Sequence, residues 1–313
     1  MAALTVCLPP VDRAGAATDT LGVYIGGGAV SAHTSFAAWL GSPVDRAVDF
    51  VDQGNGWEAI AQPSWMLDTW ATWVRAGAGR QLVLSVPLLP ESARGQLWVG
   101  AAGFFDEPFL WLARGMVARG LGGSIIRLGW EANTGSHPWA AEGDPGSYKQ
   151  FFRRVVAVMR SVPGAAFSFD WTANSGVGGG SALTTFDSFY PGDDVVDLIG
   201  LDVYDMVWED STSTPAQRWN FTLNQRLGLV DHRAFAWAHG KPMSFGEWGM
   251  LARGDQFGGG GDNPYYVDRM ADWFGQTTPR YQSYFNVDWG GGVLSSFPNG
   301  QARYRARFGV AGR

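Results

Sequence analysis

The chain has 313 residues, of which 46% are hydrophobic and only 17% are charged. The formal net charge is −6, from 23 lysines and arginines against 29 aspartates and glutamates, and the charges form no basic run. These numbers argue against nucleic acid as a partner, and no apolar stretch approaches the roughly eighteen residues that a membrane span needs. Cys7 is the only cysteine, so no intramolecular disulfide can form.

Eight largely apolar segments alternate along the chain with stretches that have helical periodicity. Segments of this kind are typical of parallel strands that are covered on both faces. In chain order, the predicted strands are 21–26, 46–52, 81–87, 125–131, 166–172, 196–204, 243–248 and 281–288. The clearest predicted helices between them are 64–76, 107–119, 147–160, 215–238 and 264–274.

The repeated alternation predicts the fold and the domain organisation. Strands that alternate with helices at this spacing indicate a parallel sheet, and a count of eight favours closure into a (β/α)8 TIM barrel. We therefore expect an α/β protein with one catalytic barrel domain over residues 21–313. The segment 1–20, which is rich in alanine, is predicted to be an N-terminal arm. An open, doubly wound sheet is the alternative.

Two of the predicted strands end on a glutamate. Glu131 closes the fourth strand segment and Glu247 lies at the end of the seventh, each beside a tryptophan. Strand ends of a barrel meet at one mouth, so the two carboxyl groups are expected to flank a single bond. Such a pair is what glycoside hydrolysis requires, because one group protonates the leaving oxygen while the other attacks the anomeric carbon or activates water.

The neighbouring residues predict how the two glutamates divide the work. An apolar, aromatic setting disfavours the charged form of a carboxyl group, whereas hydrogen-bond donors stabilise it. Tyr204, at the end of the sixth strand, is expected to donate to Glu247. Arg127 lies two alternations before Glu131 on the same strand face, so we expect it to tune Glu131 or to fix a neighbouring carboxylate.

The aromatic content of 16 tryptophans, 9 tyrosines and 19 phenylalanines is high. Part of it must be core, and the rest suits a cleft in which aromatic faces stack on sugars. For each candidate, packing in the core is the alternative to sugar contact. The residues predicted to line the cleft, with Trp171 and Trp289 favoured, are Tyr24, Asp52, Arg127, Trp130, Asn133, Trp139, Trp171, Asn174, Tyr204, Trp248 and Trp289.

Three segments resemble glycoside hydrolase family 26, the β-mannanase family of clan A. The run from Arg127 to Asn133, followed by His137-Pro-Trp139, resembles the family's acid/base segment. Residues 244–249 resemble its nucleophile segment, and residues 199–205 resemble the sixth-strand stretch whose tyrosine contacts the nucleophile. The strand pattern fits the family from about residue 20 to residue 310.

The resemblance implies a retaining, double-displacement hydrolase of β-linked, mannan-type polysaccharide. Glu131 would be the acid/base and Glu247 the nucleophile, and neither a metal nor an organic cofactor would take part. Trp130 stands where the family's mannanases have a histidine that helps to position the substrate. A mannose-specific hydroxyl contact is therefore either missing or supplied elsewhere. We expect endo action on a polysaccharide or oligosaccharide substrate by a monomer.

Other functions remain open at this point. A non-catalytic carbohydrate-binding barrel would keep the tryptophans and dispense with a glutamate. An aldolase or metal-dependent hydrolase would need a strand-end lysine or a histidine–carboxylate cluster, but Lys149 and Lys241 end no strand. The four histidines are scattered and are interpreted as structural. A hydrolase of bacterial envelope or capsule glycans is the last alternative.

The expected location is extracellular or at the cell envelope. Residues 1–10 contain a short apolar run without a positively charged start, which is not typical of a secretory signal peptide. The location would then be reached as a processed chain or by another export route.

Overall fold

The computed structural model describes residues 21–177, 182–207, 212–254 and 257–310. The predicted N-terminal arm, residues 1–20, lies outside these ranges. Eight parallel strands form a closed barrel in which each strand pairs with the next and the eighth pairs with the first. The TIM-barrel prediction is confirmed, and the open sheet is excluded. The strands are β1 Leu21–Tyr24, β2 Arg46–Phe50, β3 Gln81–Val86, β4 Ile125–Leu128, β5 Ser168–Asn174, β6 Leu198–Asp205, β7 Met243–Met250 and β8 Gln282–Phe285.

Helices cover the outside of the barrel. Within the described residues they are α1 Val30–Leu40, α2 Gly56–Ala61, α3 Ser64–Arg75, α4 Leu97–Ala101, α5 Asp106–Ala118, α6 Pro145–Arg160, α7 Pro215–Asn224, α8 Leu229–Ala238, α9 Pro264–Thr277 and α10 Pro298–Phe308. None of the helices described here is both long enough and apolar enough to cross a bilayer.

The single helix predicted over 215–238 is wrong, because the structure has two helices there. Helix α7 ends at Asn224, and Leu227 has a positive φ of 54° before α8 begins. A left-handed residue cannot continue a right-handed helix. Gly228 lies where a Cβ would come 2.7 Å from the carbonyl oxygen of Gln225, so the tight connection also needs a glycine.

The core has two parts that follow the alternation of side chains along each strand. Outward-facing strand residues pack against the helices in one large cluster that includes Phe109 and Phe151. Inward-facing residues fill the barrel with a smaller apolar cluster, namely Val48, Val83, Ile125, Leu198 and Tyr281.

A layer of polar side chains also fills the barrel interior, on the same inward faces. Asp170 accepts hydrogen bonds from Ser244 Oγ and Tyr281 Oη, both at 2.7 Å, and from Thr172 Oγ1 at 3.0 Å. On β6, a Cβ at Gly200 would lie 2.4 Å from Thr172 Oγ1, so this strand position has to be a glycine. Asp170, Thr172, Ser244 and Tyr281 are all buried and hydrogen-bonded, as buried polar groups usually are.

Candidate active site

A bulge in β7 aims Glu247 into the barrel mouth. Between Ser244 and Trp248, β7 has one residue more than β6 has between Gly200 and Val203. An extra residue of this kind breaks the strict alternation of side chains and re-aims them. The extra residue lets Gly246 and Glu247 both face inward. A Cβ on Gly246 would meet Arg127, and the carboxylate of Glu247 contacts the same Arg127.

Glu247 is held at both of its carboxylate oxygens. Arg127 donates to Oε1 from Nη1 at 3.2 Å and from Nη2 at 3.1 Å, and Tyr204 Oη donates to Oε2 at 2.8 Å. The residue is 6% exposed, so it is reached only from the mouth. The predicted contact between Tyr204 and Glu247 is present in the structure.

Asp202 fixes the same assembly from β6, and sequence reasoning did not single it out. Its Oδ1 accepts the backbone N–H of Glu247 at 2.9 Å, and its Oδ2 accepts from Arg127 Nη2 at 2.5 Å. Burial raises the pKa of Asp202 well above its usual value, although the charge of Arg127 opposes that shift. Its position two residues before Tyr204, on the same strand face, was the signal that could have identified it.

Arg127 lies below the cleft and cannot touch a sugar, which corrects its predicted role in substrate binding. It is fully buried and bonds Glu247, Asp202 and Ser85 rather than Glu131. The predicted alternation from Arg127 to Glu131 fails because β4 ends at Leu128 and Gly129 has a positive φ of 53°. The other role predicted for Arg127, to fix a neighbouring carboxylate, agrees with its bonds to Asp202 and Glu247.

Glu131 lies three residues beyond the end of β4, in a strained backbone conformation. Its φ is +50°, which is uncommon for any residue other than glycine. The backbone N–H of Glu131 donates to the carbonyl oxygen of Thr172 on β5 at 2.8 Å, and this bond keeps the strained residue against the barrel. Its side chain is 15% exposed and so has access to the cleft. Strain of this kind clusters at functional sites.

Two asparagines position the carboxylate of Glu131. Asn174 Nδ2, at the end of β5, donates to Glu131 Oε1 at 2.6 Å. Asn133 is fully buried and holds Asn174 in place, accepting its backbone N–H at 2.9 Å and donating to its carbonyl oxygen at 2.9 Å. The structure therefore places Asn174 at the predicted site, whereas Asn133 supports the site from below and does not contact a substrate.

His137 contacts the other oxygen of Glu131, and the sequence analysis treated it as structural. Its Nε2 lies 3.4 Å from Glu131 Oε2, and both side chains are 15% exposed. The imidazole ring is stacked on Trp139, with centroids 4.6 Å apart and an interplanar angle of 7°. Glu131 and His137 are six positions apart in a loop, where no periodic pattern could have indicated their contact.

The polar partners of Glu131 determine its protonation. Burial raises the pKa of its carboxyl group, but hydrogen bonds from His137 and Asn174, with the charges of His137 and Arg127, hold that pKa below its ordinary value. From the sequence, an apolar and aromatic setting is expected to keep the general acid protonated. The structure instead surrounds this carboxyl group with hydrogen-bond donors.

Glu247 shows the opposite balance. Burial raises the pKa of its carboxyl group, Arg127 and Tyr204 act to lower it, and the charge of Glu131 adds to the rise. Because the two carboxyl groups influence each other, a proton on Glu131 removes a repulsive charge and favours ionised Glu247. The two carboxyl groups can therefore carry one proton in total, with Glu131 protonated and Glu247 ionised.

Aromatic rings surround Glu247 at the mouth. Tyr24 packs on Phe50 and Phe285 with ring centroids 4.7 and 5.0 Å apart, and Trp289 lies 5.2 Å from the ring of Tyr204. Burial and the charges of Asp49 and Glu247 raise the pKa of Tyr24 to about 12, so its hydroxyl stays neutral. Trp289 is 40% exposed and stacks on Phe257 with ring centroids 4.8 Å apart, so its contact with a sugar stays a prediction.

Trp171 and Trp248 lie outside the cleft, which corrects the prediction that they bind substrate. Both are fully buried on the outer face of the barrel. Trp171 packs against Phe189 at 4.9 Å, and Trp248 packs against Tyr284 at 5.1 Å. In β5 the alternation that turns Asp170 inward turns Trp171 outward.

The remaining predicted cleft residues have mixed positions. Trp139 is fully buried, and its Nε1 donates to the carbonyl oxygen of Trp130 at 2.8 Å, so it supports the loop and cannot stack on a sugar. Trp130 is 7% exposed and packs edge-on against Phe50. Asp52 is exposed and accepts the backbone N–H of Gly54 at 2.6 Å, which caps its own turn.

Part of the sequence matches a known family. Residues 124–221 match the model of the family described as Glycosyl hydrolase family 26. The matched segment begins just before β4 and ends in α7, so it includes Glu131 and Tyr204 and excludes Glu247. A comparison with curated protein sequences gave no match.

Solved structures share the barrel at low sequence identity. The chain is similar to a modular endo-β-1,4-mannanase from Cellulomonas fimi, with 20% identity and a TM-score of 0.56, over 82% of this chain and 63% of that chain. It therefore spans less than two thirds of the length of that protein. Identity at this level shows a shared fold.

Two further structures align over more of their length. The catalytic domain of the family 26 endo-β-1,4-mannanase from Bacillus sp. JAMB-750 has 17% identity and a TM-score of 0.62, over 94% of this chain and 88% of that one. A family 26 β-mannanase from Bacteroides ovatus has 12% identity and a TM-score of 0.58, over 92% and 86%. Residues 124–221 are therefore similar to glycoside hydrolase family 26, and the chain shares the barrel fold of these enzymes.

Proposed function

We propose that the chain hydrolyses a β-linked, mannan-type polysaccharide with retention of configuration, with Glu247 as nucleophile and Glu131 as acid/base. The observation that carries the proposal is the pairing of these two carboxyl groups at one barrel mouth. Burial is the largest cause of the raised pKa of Tyr204, and the charges of Glu247 and Glu131 raise that pKa further. Both carboxylates therefore act on the same buried hydroxyl group. Glycoside hydrolysis uses such a pair.

In the first step, the ionised carboxylate of Glu247 attacks the anomeric carbon. Arg127 and Tyr204 hold its oxygens in place, so little reorganisation is needed at the moment of attack. The protonated carboxyl group of Glu131 gives its proton to the glycosidic oxygen, and the leaving sugar departs as an alcohol. The products of this step are a glycosyl ester on Glu247 and an ionised Glu131.

In the second step, water releases the sugar. The carboxylate of Glu131 takes a proton from a water molecule as its oxygen attacks the anomeric carbon, and the ester bond to Glu247 breaks. The sugar leaves with its original configuration, and both glutamates return to their starting protonation states. Asn174, which donates to Oε1 at 2.6 Å, holds the carboxyl group of Glu131 in place through both steps.

The aromatic mouth and the similar structures support the choice of substrate. Tyr24 packs on Phe285, and Trp289 lies against Tyr204, which contacts Glu247; aromatic rings suit the apolar surface of a pyranose. The three similar structures are described as mannanases. Trp130 occupies the position of the family's positioning histidine, so envelope glycans belong in any test of specificity.

A polysaccharide panel tests the proposal. Mannan, glucomannan, β-glucans, xylan and bacterial envelope glycans are incubated with the wild-type chain, and new reducing ends are counted while NMR reads the first-formed anomer. We expect cleavage of mannan or glucomannan with a β-configured product. Glu247→Gln, which keeps shape and removes charge, should lower turnover by at least about a thousand-fold.

Two results would count against the proposal. An α-configured first product would exclude retention and therefore the nucleophilic role of Glu247. Full activity of Glu247→Gln would also exclude the nucleophilic role of Glu247, and no cleavage of any glycan by a correctly folded wild-type chain would exclude the hydrolase itself.

A further inference from the structure

His137 is the part of the site that the two catalytic carboxyl groups do not explain. Its imidazole is held in one plane by stacking on Trp139 and by an edge contact with Trp130, with centroids 4.6 and 5.2 Å away. Trp139 is itself fully buried and fixed by a hydrogen bond to the backbone of Trp130. The ring therefore has little freedom, and its Nε2 is directed at Glu131.

The two ring nitrogens of His137 have different surroundings. Nε2 lies 3.4 Å from Glu131 Oε2, whereas Nδ1 is buried and has no hydrogen-bond partner among the described residues. Within that part of the chain, the polar contact of the ring is thus with the acid/base alone. A proton that the ring gains or loses is exchanged most directly with this carboxyl group.

We propose that His137 is a positioning residue for the acid/base, and that the His137–Glu131 pair shares one proton. This inference rests on the proposed function of Glu131. In one form, imidazolium Nε2–H donates to a carboxylate; in the other, the carboxylic acid O–H donates to neutral Nε2. One proton moves between the two atoms and no electrons are exchanged, so the pair stores the proton that Glu131 later delivers to the leaving oxygen.

The shared proton resolves a difficulty in the acid role of Glu131. Hydrogen bonds from His137 and Asn174 favour ionised Glu131 while His137 is charged. A carboxyl group alone would lose its proton near its own pKa, whereas the pair keeps its last proton to a higher pH because either member can hold it. His137 therefore extends the acid function of Glu131 toward neutral pH.

Several other charged or titratable groups face the pair. Arg94 donates to the backbone oxygen of His137 at 3.1 Å, and its charge is paired with Glu91 at 2.7 Å. Among these groups, Glu247 has a pKa that the charge of Glu131 raises, so the titration of Glu247 must be removed in the test. The groups that act on the pair from inside the mouth are Arg127, Asp202, Tyr204 and Glu247.

Histidine NMR tests the pair without requiring activity. The chain has four histidines, so a ring-labelled sample gives a simple spectrum, and His137→Gln assigns the signal. Burial lowers the pKa of His33 and of His232 to about 4, so these two signals are expected to titrate at low pH. The measurement compares Glu247→Gln with the double variant Glu247→Gln/Glu131→Gln.

We expect loss of the Glu131 charge to lower the titration midpoint of His137 by about one pH unit or more. The midpoint of His239, which is paired with Asp193 elsewhere, should not move. An unchanged His137 midpoint would overturn the inference, even if the polysaccharide panel supports hydrolysis. Absence of any hydrolysis would instead defeat the proposed function, while the NMR result still decides whether the pair exists.

The pH profile supplies a second readout on whichever panel glycan is cleaved. In His137→Gln, the high-pH limb of kcat/KM should move to lower pH by about one unit. The matched control is His239→Gln, which loses another histidine–carboxylate contact and should keep the wild-type profile. A uniform loss of rate with no movement of the limb would mean that His137 has a packing role only.

Discussion

Tyr204 and Arg127 act on different oxygens of Glu247. Tyr204 makes one bond to Oε2, and the two terminal nitrogens of Arg127 converge on Oε1. Together they fix the plane of the carboxylate, which in the proposed mechanism sets the direction of attack. Arg127 is shared with Asp202, whereas the hydroxyl of Tyr204 has Glu247 as its acceptor, so Tyr204 is the cleaner residue to test.

Tyr204→Phe should lower kcat/KM by about ten- to a hundred-fold, the equivalent of a hydrogen bond to a charged group of about 1.5–3 kcal/mol. The bond from Tyr204 lowers the pKa of Glu247. Its loss should therefore raise that pKa, and the low-pH limb of kcat/KM should move to higher pH. The measurement is a set of initial rates on the cleaved glycan across the pH range.

The matched control is Tyr190→Phe, which removes a tyrosine–carboxylate bond of 2.9 Å to Asp193 on another part of the barrel. We expect its profile to follow the wild type. If Tyr204→Phe also kept the wild-type limb, the hydroxyl of Tyr204 would have no influence on the ionisation of Glu247.

At the scale of the secondary-structure element, the bulge in β7 is what allows Gly246 and Glu247 to face inward together. A Cβ at Gly246 would lie 2.3 Å from Nε of Arg127, closer than real contacts allow. This glycine makes room for the guanidinium group that holds the carboxylate of Glu247. Arg127 is buried with its partners, so it cannot move aside into water.

Gly246→Ala should destabilise the fold by about 1–3 kcal/mol, as overpacking of a well-filled interior does. Equilibrium unfolding in denaturant measures the change. Gly275→Ala is the control, because Gly275 lies in α9 with open space around its Cα. That change should be neutral or stabilising by up to about 1 kcal/mol. Equal effects of the two changes would contradict the tight packing at Gly246.

The elements also show why some site residues could be predicted and others could not. Glu247 and Tyr204 lie near the ends of strands, so the strand boundaries place both at the mouth, although the inward direction of Glu247 depends on the bulge. Trp248 was misplaced because the sequence does not reveal which face of β7 each residue takes near a bulge. The contact between Glu131 and His137 depends on a loop beyond β4, and loop geometry has no periodic signal in sequence.

At the scale of the whole molecule, two buried histidines connect stability to pH. His33 and His232 each have one ring nitrogen near a backbone oxygen, of Arg46 at 3.3 Å and of Ile199 at 2.8 Å respectively, and burial lowers each pKa from 6.5 to about 4. The folded chain therefore binds fewer protons than the unfolded chain between these values. Stability is lost as the pH falls through that window.

The thermal midpoint should fall as the pH is lowered from about 6.5 to about 4, with each histidine contributing up to about 3 kcal/mol. In His232→Gln, part of this dependence should disappear, although the variant is less stable at neutral pH. Differential scanning calorimetry of both chains across the window gives the comparison. Parallel curves would mean that His232 is not buried in its neutral form.

The overall barrel was predictable for a reason that applies to the whole chain. Eight apolar strand patterns alternating with helices leave few arrangements that bury them all. The break between α7 and α8 was not predictable in the same way, since the apolar pattern continues across it while the backbone angles of Gln225, Leu227 and Gly228 interrupt the helix. Repeating sequence patterns therefore predict the architecture, but they do not predict individual backbone angles.

The central claim is that Glu247 attacks the sugar while Glu131 manages the proton, and azide rescue tests both roles in one measurement. Glu247→Ala and Glu131→Ala are each given azide and an activated aryl β-glycoside of the sugar identified by the panel, and NMR reads the anomer of the glycosyl azide. We predict the α-azide from Glu247→Ala, where azide replaces the nucleophile, and the β-azide from Glu131→Ala, where it replaces the incoming water. The reverse assignment, or no glycosyl azide from either variant, would contradict the account.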